Sequence, residues 1–118
     1  HVVQDHGVLT AADGRQVPVV YALGNLVSNQ RWEDSNGGIM TTVDIDRETR
    51  KIVAIDFIPV YVHKGSLMNE RRNYYCIPTE DYLRGDLPFT LPNDSLEQDL
   101  RLFHSNTTKR LSTSMKWE

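Results

Sequence analysis

The stretch VPVVYALGNLVSNQ, residues 17–30, constrains what this chain can fold into more than any other. Val17, Val19 and Tyr21 alternate with Pro18, Val20 and Ala22, and nearly every position is apolar. A strand apolar on both sides belongs where both are covered, in the middle of a sandwich or a layered α/β domain. It breaks at Leu23-Gly24-Asn25, a glycine and an asparagine that both tolerate positive φ, and resumes at Leu26 and Val27. A buried strand that stops on Gly-Asn delivers a polar loop to the edge of a layer, where sites collect.

Around this stretch the pattern is mainly that of short strands. Residues 1–4 read as a strand and residues 7–11 as a second, with Asp13-Gly14 a two-residue hairpin signal leading into residues 15–23. Residues 28–38 are polar and glycine-containing around Trp32, which is the composition of a surface loop. Ile39, Thr41, Val43 and Ile45 then alternate with Met40, Thr42, Asp44 and Asp46. After a polar turn at residues 47–50, residues 51–62 form a long strand, so the two make a hairpin. Pro59 has no N–H to give a ladder, which places that end of the strand at an edge or a bulge.

The second half is less regular. Residues 69–73 are a charged connection and residues 74–77 one last strand. Thr79 before Glu80 and Asp81 reads as a capped helical turn stopped by Gly85, and residues 87–92, with two prolines, are extended. Asn93 or Asp94 caps a helix in which Leu96, Leu100, Phe103 and Thr107 share one stripe. Residues 112–118 are expected to fray. The fold class is therefore α+β: a mainly antiparallel sheet with one or two C-terminal helices, in a single unit of 118 residues.

Composition narrows the function. Hydrophobic residues make up 39% and charged residues 25%, a globular balance, and no apolar run approaches the ~20 residues of a membrane helix. The start is neither basic nor apolar enough for a signal peptide, and a chain opening on His1 reads as a processed product or an excised piece. A net charge of −3 argues against a general nucleic-acid binder. The lone Cys76 excludes an intrachain disulfide and a multi-cysteine zinc site, and is compatible with the cytoplasm or with an extracytoplasmic bacterial protein that uses no disulfides. No nucleophile-elbow, P-loop or dinucleotide motif occurs.

Three short motifs occur in order: His1-Val2-Val3-Gln4, then VVYALGNLVSNQ, then a strand ending in Phe57-Ile58-Pro59-Val60-Tyr61. Together they resemble the C-terminal part of the CapA/PgsA family, bacterial capsule and poly-gamma-glutamate synthesis proteins on a calcineurin-like metallophosphoesterase fold. The family pattern is a Gly-x-His-Pro-His segment running into Val-x-Gln, then Tyr-Ser-Leu-Gly-Asn-Phe, then a strand with Ile-Pro. Residues 1–62 carry the resemblance, and residues 63–118 are a loop and helical extension. Ala22 and Leu26 depart from the usual Ser and Phe, and nothing before His1 is present. The resemblance implies one half of a four-layer α/β/β/α sandwich at the bacterial cell surface or elsewhere outside the cytoplasm. The implied partners are an anionic capsule polymer or other capsule-synthesis proteins.

By resemblance His1 matches the second histidine of the late metal-binding segment. Neutral imidazole suits the divalent Mn, Fe or Zn that such a parent would hold, and such metals bring hydroxide and phosphoryl oxygen together. The Asp, Asn and His ligands that the family contributes earlier are missing, so the isolated chain is expected to hold no cofactor, to have no catalytic residues and to hydrolyse nothing. The competing reading of His1 is a solvated terminal imidazole. Gly24 and Asn25 are the binding candidates: the Asn25 amide at a strand end can bond an anion or buttress a metal ligand, or it can simply make a tight turn. His6 faces opposite to His1 in a strand, and His63, in a loop, and His104, on a helix, are isolated. Asp44 and Asp46 read as a solvated hairpin end beside Arg47, Arg50 and Lys51, and Arg71-Arg72 beside Tyr74-Tyr75 as a charged loop running into a packed strand. The two glycosylation sequons at Asn93 and Asn106 are incidental in a bacterial protein. A second class of function remains open, a stand-alone β-rich binding or assembly module without catalysis. A half-sandwich would leave an apolar sheet face bare and so promote a homodimer.

Overall fold

The structure is a computed structural model that describes residues 1–26, 28–68, 71 and 74–111. The expectations for Val27, for most of the connection at residues 69–73, for Arg72 and for fraying at residues 112–118 lie outside the described residues. The fold is α+β and its sheets are antiparallel.

Strands β1 (His6–Thr10) and β2 (Gln16–Val20) form a two-stranded ribbon. The turn between them has three residues rather than two. The Gly14 amide bonds the Ala11 carbonyl, Ala11 pairs with Arg15, and Gly14 takes φ 86°, the left-handed residue that three-residue hairpins require. Strands β3 (Gly37–Ile45), β4 (Ile52–Lys64) and β5 (Tyr74–Pro78) form the second sheet in that order. Bridges from Val3 to Leu23 and from Gly24 to Gly38 stitch the first sheet to the outer edge of β3. Between β3 and β4, Asp46 accepts from the Glu48 and Thr49 amides, which closes the turn and holds its carboxyl below the usual range. A register shift between Asp44 and Ile45 interrupts the shared face expected for the two acids.

Two helices cover one face of the three-stranded sheet. Helix α1 (Thr79–Arg84) ends on Gly85 at φ 78°. Helix α2 (Asp94–Arg110) starts on Asn93, whose side chain accepts from the Leu96 amide. The expected stripe is the buried one: Leu100, Phe103 and Thr107 are buried, Leu96 packs beside them, and they close a core with Tyr61, Ile77, Tyr82 and Leu91. The last turn is weak helix sequence held by tertiary bonds. Asn106 donates to Asp34, and Arg110 reaches Asp34 at 2.6 Å, drawing the Asp34 carboxyl below the ordinary carboxylate range. Thr79 does not cap α1; Pro78 occupies that position. The Thr79 hydroxyl instead donates to the Pro59 carbonyl and meets His104 Nδ1 at 2.7 Å, joining β4, α1 and α2 at one polar node.

Pro59 lies in the middle strand, yet its position satisfies the edge rule. In an antiparallel ladder a residue's N–H and C=O point the same way and alternate from side to side. Val62 bonds Asn36 beside β3, whereas the Pro59 carbonyl faces Thr79. The missing N–H of Pro59 therefore points to the β5 side, one residue past the last β5 pair, Val60 with Pro78.

Three further expectations are corrected. The 17–22 stretch is not a central strand covered on both sides: among the described residues β2 has only β1 as a ladder partner, and Tyr21 is 58% exposed. Of the glycine and asparagine that were to turn the chain, only Gly24 takes a positive φ. His63 is not in a loop; it closes β4 at 3% exposure, with neither ring nitrogen partnered and with Tyr75 beside it. Burial, and then the charge of Arg31, push its pKa below the ordinary imidazole value. Above the unfolded value of about 6.5 the imidazole is neutral in both states. Below it, the unfolded chain takes the proton first and stability falls as pH drops toward the lower folded value. The expected result is that His63→Leu flattens this limb of a urea-midpoint profile where it begins, just below about pH 6.5, well above the window of Asp34; an unchanged profile refutes the assignment.

The sheets are not fully covered. Val43 and Met40 are half exposed, Ile45 is 61% and Val53 56% exposed, and Val8, Leu9 and Leu23 of the ribbon stand open too. The radius of gyration is 16.5 Å, against about 13–14 Å for a compact domain of this length.

Candidate functional site

The polar centre with the most internal order is the one that the Gly24-Asn25 break creates. Gly24 is required there twice over. Its φ is 77°, and a Cβ would sit 2.9 Å from the Gly37 carbonyl oxygen and 2.9 Å from the Val3 side chain. This close approach lets the Asn25 amide donate to Gly37 and the Ile39 amide to Leu23, so that the break lies against β3 as an extra rung.

Asn25 then fastens the following loop. Its Nδ2 donates to Gln30 Oε1 at 2.8 Å and to the Ser35 carbonyl at 3.1 Å. Gln30 Nε2 in turn lies 2.8 Å from His1 Nδ1. The two sequence candidates, His1 and Asn25, are thus ends of one relay through Gln30. Neighbouring bonds hold the same loop: Arg31 donates to the Val62 carbonyl at 2.6 Å, and Tyr74 to Asn29 at 3.1 Å. The loop is less of a surface feature than its composition implies, since Ser35 and Asn36 are buried while Trp32 is 68% exposed. Beside it Leu26, Val62, Tyr74 and Cys76 line an apolar hollow of about 300 Å³.

The direction of the relay sets the protonation of His1. Gln30 Oε1 accepts from Asn25, so its Nε2 must donate, and His1 Nδ1 must accept. The imidazole proton then sits on Nε2. A metal-bound histidine has the opposite arrangement, one nitrogen on the metal and the other donating its N–H. Among the described residues no three His, Cys, Asp or Glu side chains gather as a ligand set. The residues around His1 do not fit a divalent metal. His6 stacks on Phe57 at 4.9 Å, and His63 and His104 lie at the far end of β4 and on α2, so the histidines do not converge.

Asn25→Asp is expected to reverse the relay. A carboxylate can only accept, so Gln30 flips to donate to it and presents Oε1 to His1, moving the proton to Nδ1. Nitrogen-15 shifts of the His1 ring read the tautomer directly, and an Nε2-protonated ring in both proteins overturns the relay.

Sequence reasoning found Gly24, Asn25 and His1 but not Gln30, Ser35 or Arg31. Their only signal was polarity within a polar loop, which any solvated loop shares. Comparison with protein-family models, with curated proteins and with solved structures finds no match to this chain.

Proposed function

We propose that this chain is the C-terminal portion of a CapA-type capsule or poly-gamma-glutamate assembly protein. It would supply one sheet and its helices to a larger four-layer sandwich and hydrolyse nothing by itself. The observation that carries this reading is the bare apolar surface of the sheets, at Val43, Ile45 and Val53 and along the ribbon, on a chain less compact than its length calls for. A complementary layer over such side chains would contribute about 1.5–3 kcal/mol for each one fully buried. The order of the three motifs adds the family. The same resemblance carries an extracytoplasmic location, and an anionic polymer or another capsule-synthesis protein as partner. In such a parent the Asn25–Gln30–His1 relay sits at the strand end where the two halves would meet, and it orders the loop there.

The direct test is the sequence encoded upstream of His1. An in-frame Gly-x-His-Pro leading into it supports the reading; an unrelated segment removes the family. On the protein itself, light scattering is expected to find self-association that Ile45→Thr with Val53→Thr weakens by at least about tenfold. No turnover of phosphate esters with Mn²⁺ is expected. A monomer that does not bind a hydrophobic dye would favour the alternative, an independent binding module, and turnover above blank would refute the inactivity.

A further inference from the structure

Strand β4 is paired on both sides only along part of its length. Toward β3 its ladder runs from Ile52 to Tyr61, whereas toward β5 it runs only from Val60 to Lys64. By the alternation that Val62 and Pro59 establish, residues 54, 56, 58 and 60 turn their backbone groups to β3. Ile55 and Phe57 turn theirs the other way, and no strand lies on that side among the described residues. Among the described residues, two N–H and two C=O groups therefore stand along an open edge between Pro59 and the register shift near Ile52.

This edge is the floor of a groove of about 250 Å³, walled by the end of α2 at Thr108 and Leu111. Ile55, Phe57, Pro59 and Leu111 make it apolar, and two acids border it. Asp56 lies on the opposite face of β4 from Ile55 and Phe57, where a cross-strand neighbour would sit. Glu80, next to the Thr79 that bonds Pro59, adds a negative charge at the proline end. Among the described residues neither acid is in an ion pair; Glu80 contributes only at longer range to the field that raises the pKa of Arg84. Open edges are ordinarily blunted by lysine or proline facing the gap, and here Pro59 blocks one end only.

We infer that this edge accepts an added strand: an extended peptide from another chain, alternating apolar residues with lysine or arginine. Its apolar side chains pack on Ile55, Phe57 and Leu111, its backbone completes the ladder at Ile55 and Phe57, and its cations pair across the strand with Asp56 and, at the proline end, with Glu80. A peptide of about five residues spans the ~17 Å available. Affinity comes from the main chain and selectivity from the alternate side chains, as in other strand-addition sites. The inference rests on the pairing of β4 and the groove beside it, not on the capsule reading.

The test uses the full chain and two blocked, dye-labelled peptides, Val-Lys-Val-Lys-Val and Val-Glu-Val-Glu-Val, read by fluorescence anisotropy. The lysine peptide is expected to bind at least about tenfold more tightly, and Asp56→Lys with Glu80→Lys to reverse the order. Ile55→Pro removes a donor that the ladder to β3 does not use, so it should weaken the lysine peptide at least about tenfold with the circular dichroism unchanged. Should that variant fail to fold, the charge reversal, confined to groove-bordering side chains, decides alone. Amide exchange at Ile55 and Phe57 should slow when the lysine peptide is added. Equal binding of the two peptides, no binding of either, or slow exchange at Ile55 and Phe57 before any peptide is added overturns the proposal.

Discussion

Gly37→Ala is expected to cost about 3 kcal/mol, the upper end for overpacking, and to leave little folded protein. A Cβ on Gly37 would lie 2.4 Å from the Val60 carbonyl oxygen and 2.5 Å from the ring of Phe103. Neither neighbour can yield. The carbonyl belongs to the β3–β4 ladder, and the ring is buried between Tyr61 and the rest of the core. The comparison is Gly14→Ala. Gly14 has no atom within 4 Å of a built Cβ and suffers only its φ of +86°, a cost of about 1–2 kcal/mol. Urea denaturation followed by circular dichroism separates the two, and a Gly37→Ala midpoint at or above that of Gly14→Ala would falsify the packing argument.

The second large effect belongs to Thr79. Its side chain is fully buried, and its single hydroxyl hydrogen goes to the Pro59 carbonyl. His104 must therefore be the donor in its own contact, with the proton on Nδ1. Thr79→Val keeps the shape but strands a strand carbonyl and an imidazole N–H together, an expected loss of about 2–4 kcal/mol. Thr79→Ser retains both bonds and should recover most of that. The His104 ring serves as an internal check: its nitrogen-15 pattern should show Nδ1–H in the parent and in the serine variant. If valine costs no more than serine, the hydroxyl is not what joins the three elements.

The residues most legible in the sequence were those whose structure is decided locally. The strand at Ile39 to Ile45, the turn at Asp13-Gly14, the Asn93 cap and the Leu100–Phe103–Thr107 stripe each depend on neighbours within a few positions and occur there, though the turn has three residues rather than two and the alternation breaks after Asp44. The misreadings concern what lies across space. Apolar residues on both sides of the 17–22 stretch fit a buried strand, but pattern cannot say whether a second layer arrives, and here Val17 and Tyr21 stand exposed. His63 looked like the start of a loop because Lys64-Gly65 follows it; only its pairing with Tyr75 extends the strand through it. Thr79 preceded two acids and so resembled a cap, while its partners lie 20 and 25 residues away.

The candidate site divides in the same way. Gly24 was legible because a glycine at a strand break has few other uses. Asn25 was legible as a residue but not in its action, since Gln30 and Ser35 are loop positions with no distinguishing chemistry. The direction of the Asn25–Gln30–His1 relay required distances, and with it came the finding that His1 carries its proton on the side where a metal would need a lone pair.

Pro59 gives one strand two clocks. From Val60 to Val62, β4 is held on both flanks, by β5 on one side and by β3 and the Asn36 carbonyl on the other, and its amides there should open only with the whole fold. Toward Ile52 it is fastened on one flank, so alternate amides should trade hydrogen with solvent freely while their immediate neighbours do not. An imino acid at the frontier stops the β5 ladder from running on, so the molecule holds a quiet segment and a receptive one within a single continuous run of thirteen residues.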